Sequence, residues 1–291
     1  MQNKLKIESE IDLVTTLKML AQAYEEISVL KMQRVRSSVL LTRDFLDRLS
    51  LVFSDVKSSY AHMRSKHAKK NKNISSFSTG NKNGKTVSIF ISANAKFYGD
   101  IVQKVFYLFI NNIKIDQSDI VIMGRSGKEF YDHSGLKKPY QYYDLPEGVL
   151  SLEDIKPIVN LIINYEHVNV YYGRFANVIN QIPTRSDVTG AVSMDAQLSE
   201  KKQTVQFFFE PSLDQVMSFF ENQVFISLFE QTVHESELSR LASRIRAMEE
   251  ALGNIEKTEG KLASEQRRIK KSNLNKKALD NLNGIYFLSW K

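Results

Sequence analysis

The residues that end helices are distributed very unevenly along this chain. Residues 1–79 contain neither glycine nor proline, whereas all five prolines and nine of the twelve glycines lie between positions 80 and 211. Proline removes a helical hydrogen bond and glycine weakens a helix by roughly 1 kcal/mol, so their absence permits long uninterrupted helices. The distribution therefore predicts two long helical segments, one before and one after a compact middle.

Apolar residues in both helical segments recur at spacings of three and four, with some gaps of seven. The positions in the first segment are Leu13, Leu17, Leu20, Tyr24 and Ile27, followed by a second, offset stripe of Val35, Val39, Leu46, Leu49 and Phe53. Those in the second segment are Leu238, Leu241, Ile245, Met248, Leu252 and Ile255, which Leu262 and Ile269 continue with gaps. This spacing is typical of a left-handed coiled coil. A helix over 213–283 would be roughly 100 Å long at ~1.5 Å per residue, and it needs a partner along its length. We therefore predict that the N- and C-terminal helices pair antiparallel.

The middle of the chain alternates short β-rich runs with amphipathic stretches. The predicted strands are Val87–Ala93, Ile120–Met123, Val168–Tyr172 and Val205–Glu210, and the predicted helices are Asp100–Asn111 and Ser151–Tyr165. This alternation indicates a small, mostly parallel sheet with helices on its faces, so the fold class is α/β combined with a long antiparallel coiled coil. The predicted organisation is a helix over 1–65, a basic linker over 66–86, the α/β domain over 87–211, and a helix with an apolar tip over 212–291.

The segment VIMGRSGKEFY at 121–131 invites comparison with a phosphate-binding loop. That motif, G-x-x-x-x-G-K-[ST], needs a glycine five residues before the second glycine and a hydroxyl after the lysine. Counted from Gly127 and Lys128, these two positions hold Ile122 and Glu129. A branched side chain keeps the backbone from wrapping a phosphate, and a carboxylate replaces the magnesium-binding hydroxyl. We interpret the segment as a tight turn after a strand.

The sequence contains no catalytic or metal-binding constellation. The absence of cysteine excludes disulfides, thiol nucleophiles and cysteine-ligated zinc. The five histidines, at 62, 67, 133, 167 and 234, have no ligand spacing, and the pairs Glu25-Glu26 and Glu249-Glu250 are expected to be solvated on helices. We therefore expect a protein that is not itself an enzyme and that uses no cofactor or metal.

Two basic clusters and an apolar tail remain to be explained. The clusters are Arg64, Lys66, Lys69, Lys70 and Lys72, and Arg267, Arg268, Lys270, Lys271, Lys276 and Lys277; the tail is Ile285, Tyr286, Phe287, Leu288, Ser289 and Trp290. With a net charge of +7 they suit nucleic acid, lipid headgroups or an acidic protein surface, or they are solvated helix faces. The tail either inserts into an apolar hole or folds back on its own coiled coil. No apolar run approaches the ~20 residues that span a bilayer and the start lacks a secretory signal, so we expect a cytoplasmic protein that reaches a membrane only through partners.

Short motifs spread over nearly the whole chain occur in one recognisable order and spacing. Ile11 precedes Lys31-Met32 by twenty residues, and Gly124, Arg125 and Gly127 follow within the 121–131 segment. Further positions are Tyr172, Phe175, Gln181 and Pro183, then Phe209, Glu210, Pro211 and Ser212, and finally Arg244, Ala247, Met248 and Asn254. Together the motifs resemble the gamma subunit, or central shaft, of F-type ATP synthases. The resemblance implies that 168–183 forms a strand followed by a helix.

Two segments depart from that family's pattern. The family's Ser-Asp-Arg-Gly-Leu-Cys-Gly-Gly segment is reduced to Ser92 and Gly99 with six other residues between them. Lys270, Lys271 and Asn275 stand where the family has an Arg-Gln pair and a threonine that meet a beta-subunit loop. The first departure implies altered contacts with an epsilon subunit and a membrane ring. The second implies a contact with the beta subunit that keeps positive charge but uses different side chains.

The resemblance implies a rotor that couples ATP turnover in an alpha–beta hexamer to rotation without binding ATP. The implied beta-subunit contacts are Tyr24, Lys31, Met32, Arg244, Lys270, Lys271 and Asn275, and the implied bearing tip is Ile285, Tyr286, Phe287, Leu288 and Trp290. An epsilon-like subunit and a membrane ring are further implied partners. Three alternatives stay open: an F-type-derived ATPase recruited to other work such as motility, a coiled-coil scaffold with no ATPase partner, and a nucleic-acid-binding protein.

Overall fold

The computed structural model describes residues 2–67, 82–146, 152–189, 210 and 213–288. Its helices are α1 (Gln2–His67), α2 (Ile101–Ile113), α3 (Arg125–His133), α4 (Leu152–Ile162) and α5 (Leu213–Leu288). Its strands are β1 (Thr86–Ile91), β2 (Asp119–Met123), β3 (Tyr140–Tyr143), β4 (His167–Phe175) and β5 (Gln181–Asp187). None of the described helices has a stretch that is both long and apolar enough to cross a lipid bilayer.

The five described strands form one sheet in the order β3-β2-β1-β4-β5. Strand β1 is parallel to β2, with Ile89 opposite Val121, and parallel to β4, with Ile89 opposite Val170. Strand β3 adds a further parallel neighbour to β2, whereas β5 runs antiparallel to β4. The predicted mostly parallel sheet is therefore confirmed, and so are the strands predicted around β1, β2 and β4.

Helices cover both faces of the sheet because successive strand residues point to opposite sides. On one face, Phe90 of β1 packs with Phe109 of α2, their ring centroids 5.3 Å apart, and Tyr131 of α3 joins the same core. On the other face, Ile89 packs in a core with Ile158 of α4. The buried side chains of α5 in that second core are Phe225, Phe229 and Val233. The first half of α5 is thus part of the α/β layer as well as of a helix pair.

The chain divides into two compact units that cut across both long helices. We call residues 1–28 and 245–291 the terminal unit, and residues 29–244 the middle unit. In the middle unit, α1 and α5 pack antiparallel, since Val35 and Val39 lie with Leu238 and Leu241. Further along α1, Phe53 and Val56 lie with Val224. In the terminal unit the two helices are also antiparallel, because Lys18 meets Glu259 and the earlier Ile7 lies beside Ile269. The predicted antiparallel pair is confirmed within each unit, and the predicted domain boundaries stay a prediction.

The predicted seam of α1 is right in the middle unit and wrong in the terminal unit. Val35, Val39, Leu46 and Phe53 are buried as predicted. In contrast, Leu13, Leu17, Leu20 and Ile27 are 45–59% exposed. The buried positions there are Ala21 and Ser28, one residue after Leu20 and Ile27. Small side chains let two helices approach closely, so the leucine pattern marked the neighbouring face of the helix instead of the contact.

Two local predictions in the middle unit are also wrong. The segment 125–133 is helix α3, and only Gly124, with φ +95°, makes the turn after β2. The expected helix after β4 is a loop and then strand β5. The side chain of Asn177 accepts hydrogen bonds from the amides of Ile179 and Asn180, at 3.0 and 2.7 Å, and this turn folds the chain back as a hairpin. Of the predicted strand Val205–Glu210 only Glu210 is described, and most of the linker 66–86 lies outside the described residues.

Candidate partner-binding surfaces

The amides that begin α3 are already bonded to the loop between β1 and α2. The backbone N–H groups of Arg125, Ser126 and Gly127 donate to Asn94 Oδ1, Ala93 O and Ser92 Oγ at 2.9, 2.8 and 2.8 Å. A helix that binds a phosphate presents these same donors to the ligand. Because the chain's own atoms take them, this turn has no free cradle for a nucleotide phosphate.

Glycine is required at two positions of this turn by the closeness of Ser92. A Cβ atom on Gly127 would lie 2.5 Å from Ser92 Oγ and 2.8 Å from Ser92 Cβ. A Cβ atom on Gly124 would lie 2.7 Å from the same oxygen and 2.9 Å from the amide nitrogen of Ala93. The Ser92 hydroxyl also donates to Met123 O at 2.6 Å. The family-like positions Ser92, Gly124 and Gly127 therefore form one packing unit, which the sequence alone did not reveal.

A hydrogen-bond chain fixes the rest of this loop. The side-chain amide of Asn94 donates to Asp144 Oδ1 at 2.8 Å, and the Tyr142 hydroxyl donates to the same oxygen at 3.0 Å. These two hydrogen bonds, first from Asn94 and then from Tyr142, hold the pKa of Asp144 below its ordinary value. The loop after β1 is thus tied to the residues that follow β3.

No group of three or more histidine, aspartate or glutamate side chains within the described ranges is arranged to hold a metal ion. One partly buried carboxylate, Glu235 of α5, lies in the middle unit beside the Tyr172 hydroxyl, 3.5 Å from its Oε2. Burial raises the pKa of Glu235, and the charges of Arg43 and Arg174 lower it in part. The arrangement links α1, β4 and α5, so we interpret it as part of the packing.

Arg244, a predicted partner contact, is held by its own chain in the middle unit. Its side chain is only 2% exposed. One guanidinium nitrogen donates to Lys96 O at 2.8 Å, and the guanidinium carbon lies 3.7 Å from the ring centroid of Tyr98. The other two predicted contacts in this unit are half-buried: Lys31 lies on α1, and Met32 packs against the cluster of Val35 and Leu238.

The remaining residues predicted to contact a partner lie in the terminal unit. Lys270, Lys271 and Asn275 are exposed on α5, and Tyr24 is half-buried on α1. Lys270, Lys271 and Asn275 belong to a basic segment, residues 267–277, that has six lysines and arginines and no aspartate or glutamate. Lys270 also borders a groove of about 480 Å³ whose apolar wall includes Ile7, Ile269 and Leu274. Of the predicted tip, 285–288 continue α5 as backbone, and their side chains and Trp290 lie outside the described residues.

An apolar strip accompanies the basic segment in the terminal unit. It consists of Leu13, Leu17, Leu20 and Ile27, which lie on one face of α1 at spacings of four, three and seven. Ala21, Met248 and Leu262 of the same unit are buried. About half of each strip side chain is left exposed, and contiguous exposed apolar surface commonly marks a protein–protein contact.

Comparison with known proteins gives one consistent answer over the whole chain. The family model described as ATP synthase matches residues 3–278. The ATP synthase gamma chain of Mycoplasmopsis pulmonis is 23% identical over 276 residues, which cover 92% of this chain and 94% of that protein. The gamma chain of Mesoplasma florum is 21% identical over 290 residues, 98% of each chain.

Solved structures agree on the fold. The central stalk and c-ring structure of the mitochondrial ATP synthase of Tetrahymena thermophila contains a chain with a TM-score of 0.53 at 16% identity, covering 80% of this chain and 99% of that chain. A chain of the mitochondrial ATP synthase of Euglena gracilis has a TM-score of 0.54 at 12% identity, covering 88% of this chain and 94% of that one. Because the family match extends over nearly all of the sequence, this chain belongs to the ATP synthase gamma-chain family, the non-catalytic central-stalk subunits of F-type ATP synthases.

Proposed function

We propose that this chain is the rotor shaft of a rotary F-type ATPase, coupling ATP turnover in a ring of alpha and beta subunits to its own rotation without binding ATP. The observation that carries the proposal is the exposed apolar strip Leu13, Leu17, Leu20 and Ile27 beside the buried residues Ala21 and Ser28. Exposed apolar surface of this kind commonly marks a contact with another protein. The occupied amides at the start of α3 support the part of the proposal that excludes ATP binding.

The charges of the terminal unit support an acidic partner surface. Lys270 and Lys271 lie exposed within six cations that no aspartate or glutamate neutralises along 267–277. We propose that these lysines, with Asn275 and Tyr24, contact the beta subunit. We also propose that Lys31, Met32 and Arg244 of the middle unit take part in the beta-subunit contact or in passing on its torque. Exposed ion pairs contribute only about 0–1 kcal/mol each, so such contacts can form and break as the shaft turns.

The apolar tip completes the proposed shaft. Ile285, Tyr286, Phe287, Leu288 and Trp290 would lie in an apolar sleeve of the ring. Apolar contacts are not directional, so a tip in such a sleeve has few specific bonds to break during rotation. Deleting 285–291 is expected to weaken assembly with the ring while the isolated chain keeps its melting temperature; an equal loss of both would mean that the tail folds back on its own helices.

We further propose that an epsilon-like subunit and a membrane ring are partners, and that the complex lies at the cytoplasmic side of a membrane through them. ATP synthesis or hydrolysis and proton transport would then be properties of the complex. The family match over residues 3–278 does not favour the motility, scaffold or nucleic-acid alternatives. Purification of the tagged chain from its own cells, followed by mass spectrometry, separates a shaft from the scaffold and nucleic-acid alternatives: alpha- and beta-type subunits are expected, and their absence would remove the shaft proposal.

The lysine pair can be tested in the assembled complex. Lys270→Glu with Lys271→Glu should slow ATP turnover, because two charges that face an acidic partner are reversed. The matched control is Lys276→Glu with Lys277→Glu, which makes the same charge change on exposed residues six positions further along α5. Equal effects of both pairs would indicate a general effect of charge, and unchanged turnover would remove Lys270 and Lys271 from the contact.

A further inference from the structure

Arg244 contacts the loop between β1 and α2 at two residues, Lys96 and Tyr98, which flank Phe97. Its guanidinium donates a hydrogen bond to the carbonyl oxygen of Lys96 at 2.8 Å. The same group stacks on the ring of Tyr98, 3.7 Å from the centroid. A cation over an aromatic face is attracted by the electrons of the ring, and the attraction is strongest where water is excluded. At 2% exposure, Arg244 meets that condition.

Phe97, the residue between these two contacts, has a strained backbone. Its φ angle is +68°, the only such value at a non-glycine residue in the described part of the chain. A bulky side chain is disfavoured in this region, and the strain persists only where the surroundings determine the conformation. The Phe97 side chain is 59% exposed. Burial of its own ring is therefore not what holds the backbone there.

Two close approaches bring α5 against the same end of the sheet. A Cβ atom on Gly99 would lie 2.5 Å from Ser243 Oγ and 2.9 Å from Ser243 O. A Cβ atom on Gly173 of β4 would lie 2.7 Å from Ser239 Oγ. Helix α5 thus touches the backbone of both β4 and the loop after β1. At both places a serine of α5 lies where a side chain on the glycine would have to be.

We infer that Arg244 is a positioning residue that locks the loop 92–99 to helix α5 and holds Phe97 in its strained conformation. The lock makes a rigid joint within the middle unit between α5 and the α/β sheet. If α5 turns as the shaft, a role that rests on the proposed function, this joint passes the rotation to the sheet. The inference assigns Arg244 a role inside the chain, whatever contacts a partner adds.

The first test measures cleavage of the peptide bond after Lys96, whose carbonyl oxygen accepts the hydrogen bond from Arg244. Trypsin cleaves after lysine, and the scissile carbonyl after Lys96 is the one that accepts the Arg244 hydrogen bond. In the full-length chain, Arg244→Met should speed cleavage after Lys96 at least tenfold relative to cleavage after Lys104 in α2, which serves as the internal reference. Tyr98→Leu, which leaves Arg244 in place, should have a smaller effect in the same direction. An unchanged ratio in both variants would overturn the inference.

The second test measures whether Arg244 maintains the strain at Phe97. Phe97→Ala and Phe97→Gly both remove the ring, but only glycine adopts a positive φ without strain. Phe97→Gly should therefore unfold at a higher urea concentration than Phe97→Ala when Arg244 is present. With Arg244→Met the loop relaxes, and the difference between the two variants should shrink; Arg244→Lys should restore part of it. A difference of the same size in every background would overturn the inference.

Both tests use the chain without partners, so their failure is distinct from failure of the proposed function. Should Arg244→Met not fold, the same comparison of Phe97→Gly with Phe97→Ala is made in Tyr98→Leu. That variant removes the ring under the guanidinium and leaves the charge. A reduced difference supports the lock, and an unreduced one removes it.

Discussion

Replacing Gly127 by alanine sets two physical effects against each other. Gly127 lies in α3, and alanine inside a helix is more favourable than glycine by roughly 0.8–1 kcal/mol. The added Cβ would, however, lie 2.5 Å from Ser92 Oγ, 2.8 Å from Ser92 Cβ and 3.0 Å from Ile122 Cγ2. Ser92 is fully buried, so it has little room to move away.

The size of the penalty follows from two terms. Overpacking of a buried site costs typically 1–3 kcal/mol, and loss of the hydrogen bond from the Gly127 amide to Ser92 Oγ costs about 1 kcal/mol. After the gain in helix propensity is subtracted, Gly127→Ala should lower the free energy of unfolding by roughly 1–3 kcal/mol. The assay is urea unfolding of the full chain, followed by hydrogen exchange of the β1 and β2 amides, which report on the sheet itself.

The matched control is Gly253→Ala, since Gly253 also lies in a helix and an added Cβ there meets no atom within 4 Å. This variant should stabilise α5 by about 0.5–1 kcal/mol. Adding Ser92→Gly to Gly127→Ala should recover part of the loss, because it removes both Ser92 atoms from the clash. If Gly127→Ala is as stable as Gly253→Ala, the account of the turn is wrong.

Three further predictions concern other contacts. Burial raises the pKa of Glu235 above its ordinary 4.5, so the folded chain holds that proton more tightly than the unfolded chain does. The free energy of unfolding of the wild type, measured by urea titration relative to Glu235→Gln, should therefore fall as the pH rises from 4.5 through the folded pKa. A relative free energy that rises over that pH window would contradict the packing. Gly173→Ala should lower the free energy of unfolding by about 1–3 kcal/mol, since its Cβ would lie 2.7 Å from Ser239 Oγ and 2.8 Å from Ile101 Cγ1. In the same urea titrations, adding Ser239→Ala should recover only part of this loss. The pair Lys18–Glu259, 2.8 Å apart but with both side chains partly exposed, should show a coupling below about 1 kcal/mol in a double-mutant cycle, decreasing with salt.

The sequence predicted the elements whose signal is local. The absence of glycine and proline before residue 80 indicated helix α1, and β-branched runs located β1, β2 and β4. The seam over Val35, Val39 and Phe53 followed from spacing, because large apolar side chains fill the contact there. These features depend on the residues within a few turns or one strand, so pattern reasoning suffices.

The errors occur where small residues or distant contacts decide. The leucines of the terminal unit misplaced the α1 seam by one residue, since the real contact uses Ala21 and Ser28, which carry little apolar signal. Strand β5 contains Pro183 and polar residues, and only its position beside β4 makes it a strand. The partner contact of Arg244 stays a prediction, whereas its contacts with Lys96 and Tyr98 join positions about 150 residues apart and leave no trace in local sequence.

The central claim is that ATP turnover in a surrounding ring rotates this chain. The chain has no cysteine, so Asn111→Cys on the exposed side of α2 provides the one thiol of this chain, to which an optical probe is attached before the complex is reconstituted. In the purified complex, with the ring fixed to a surface, we predict that added ATP makes the probe turn in one direction, at a rate that rises with ATP concentration. ATP hydrolysis accompanied only by random fluctuation of the probe would contradict the account.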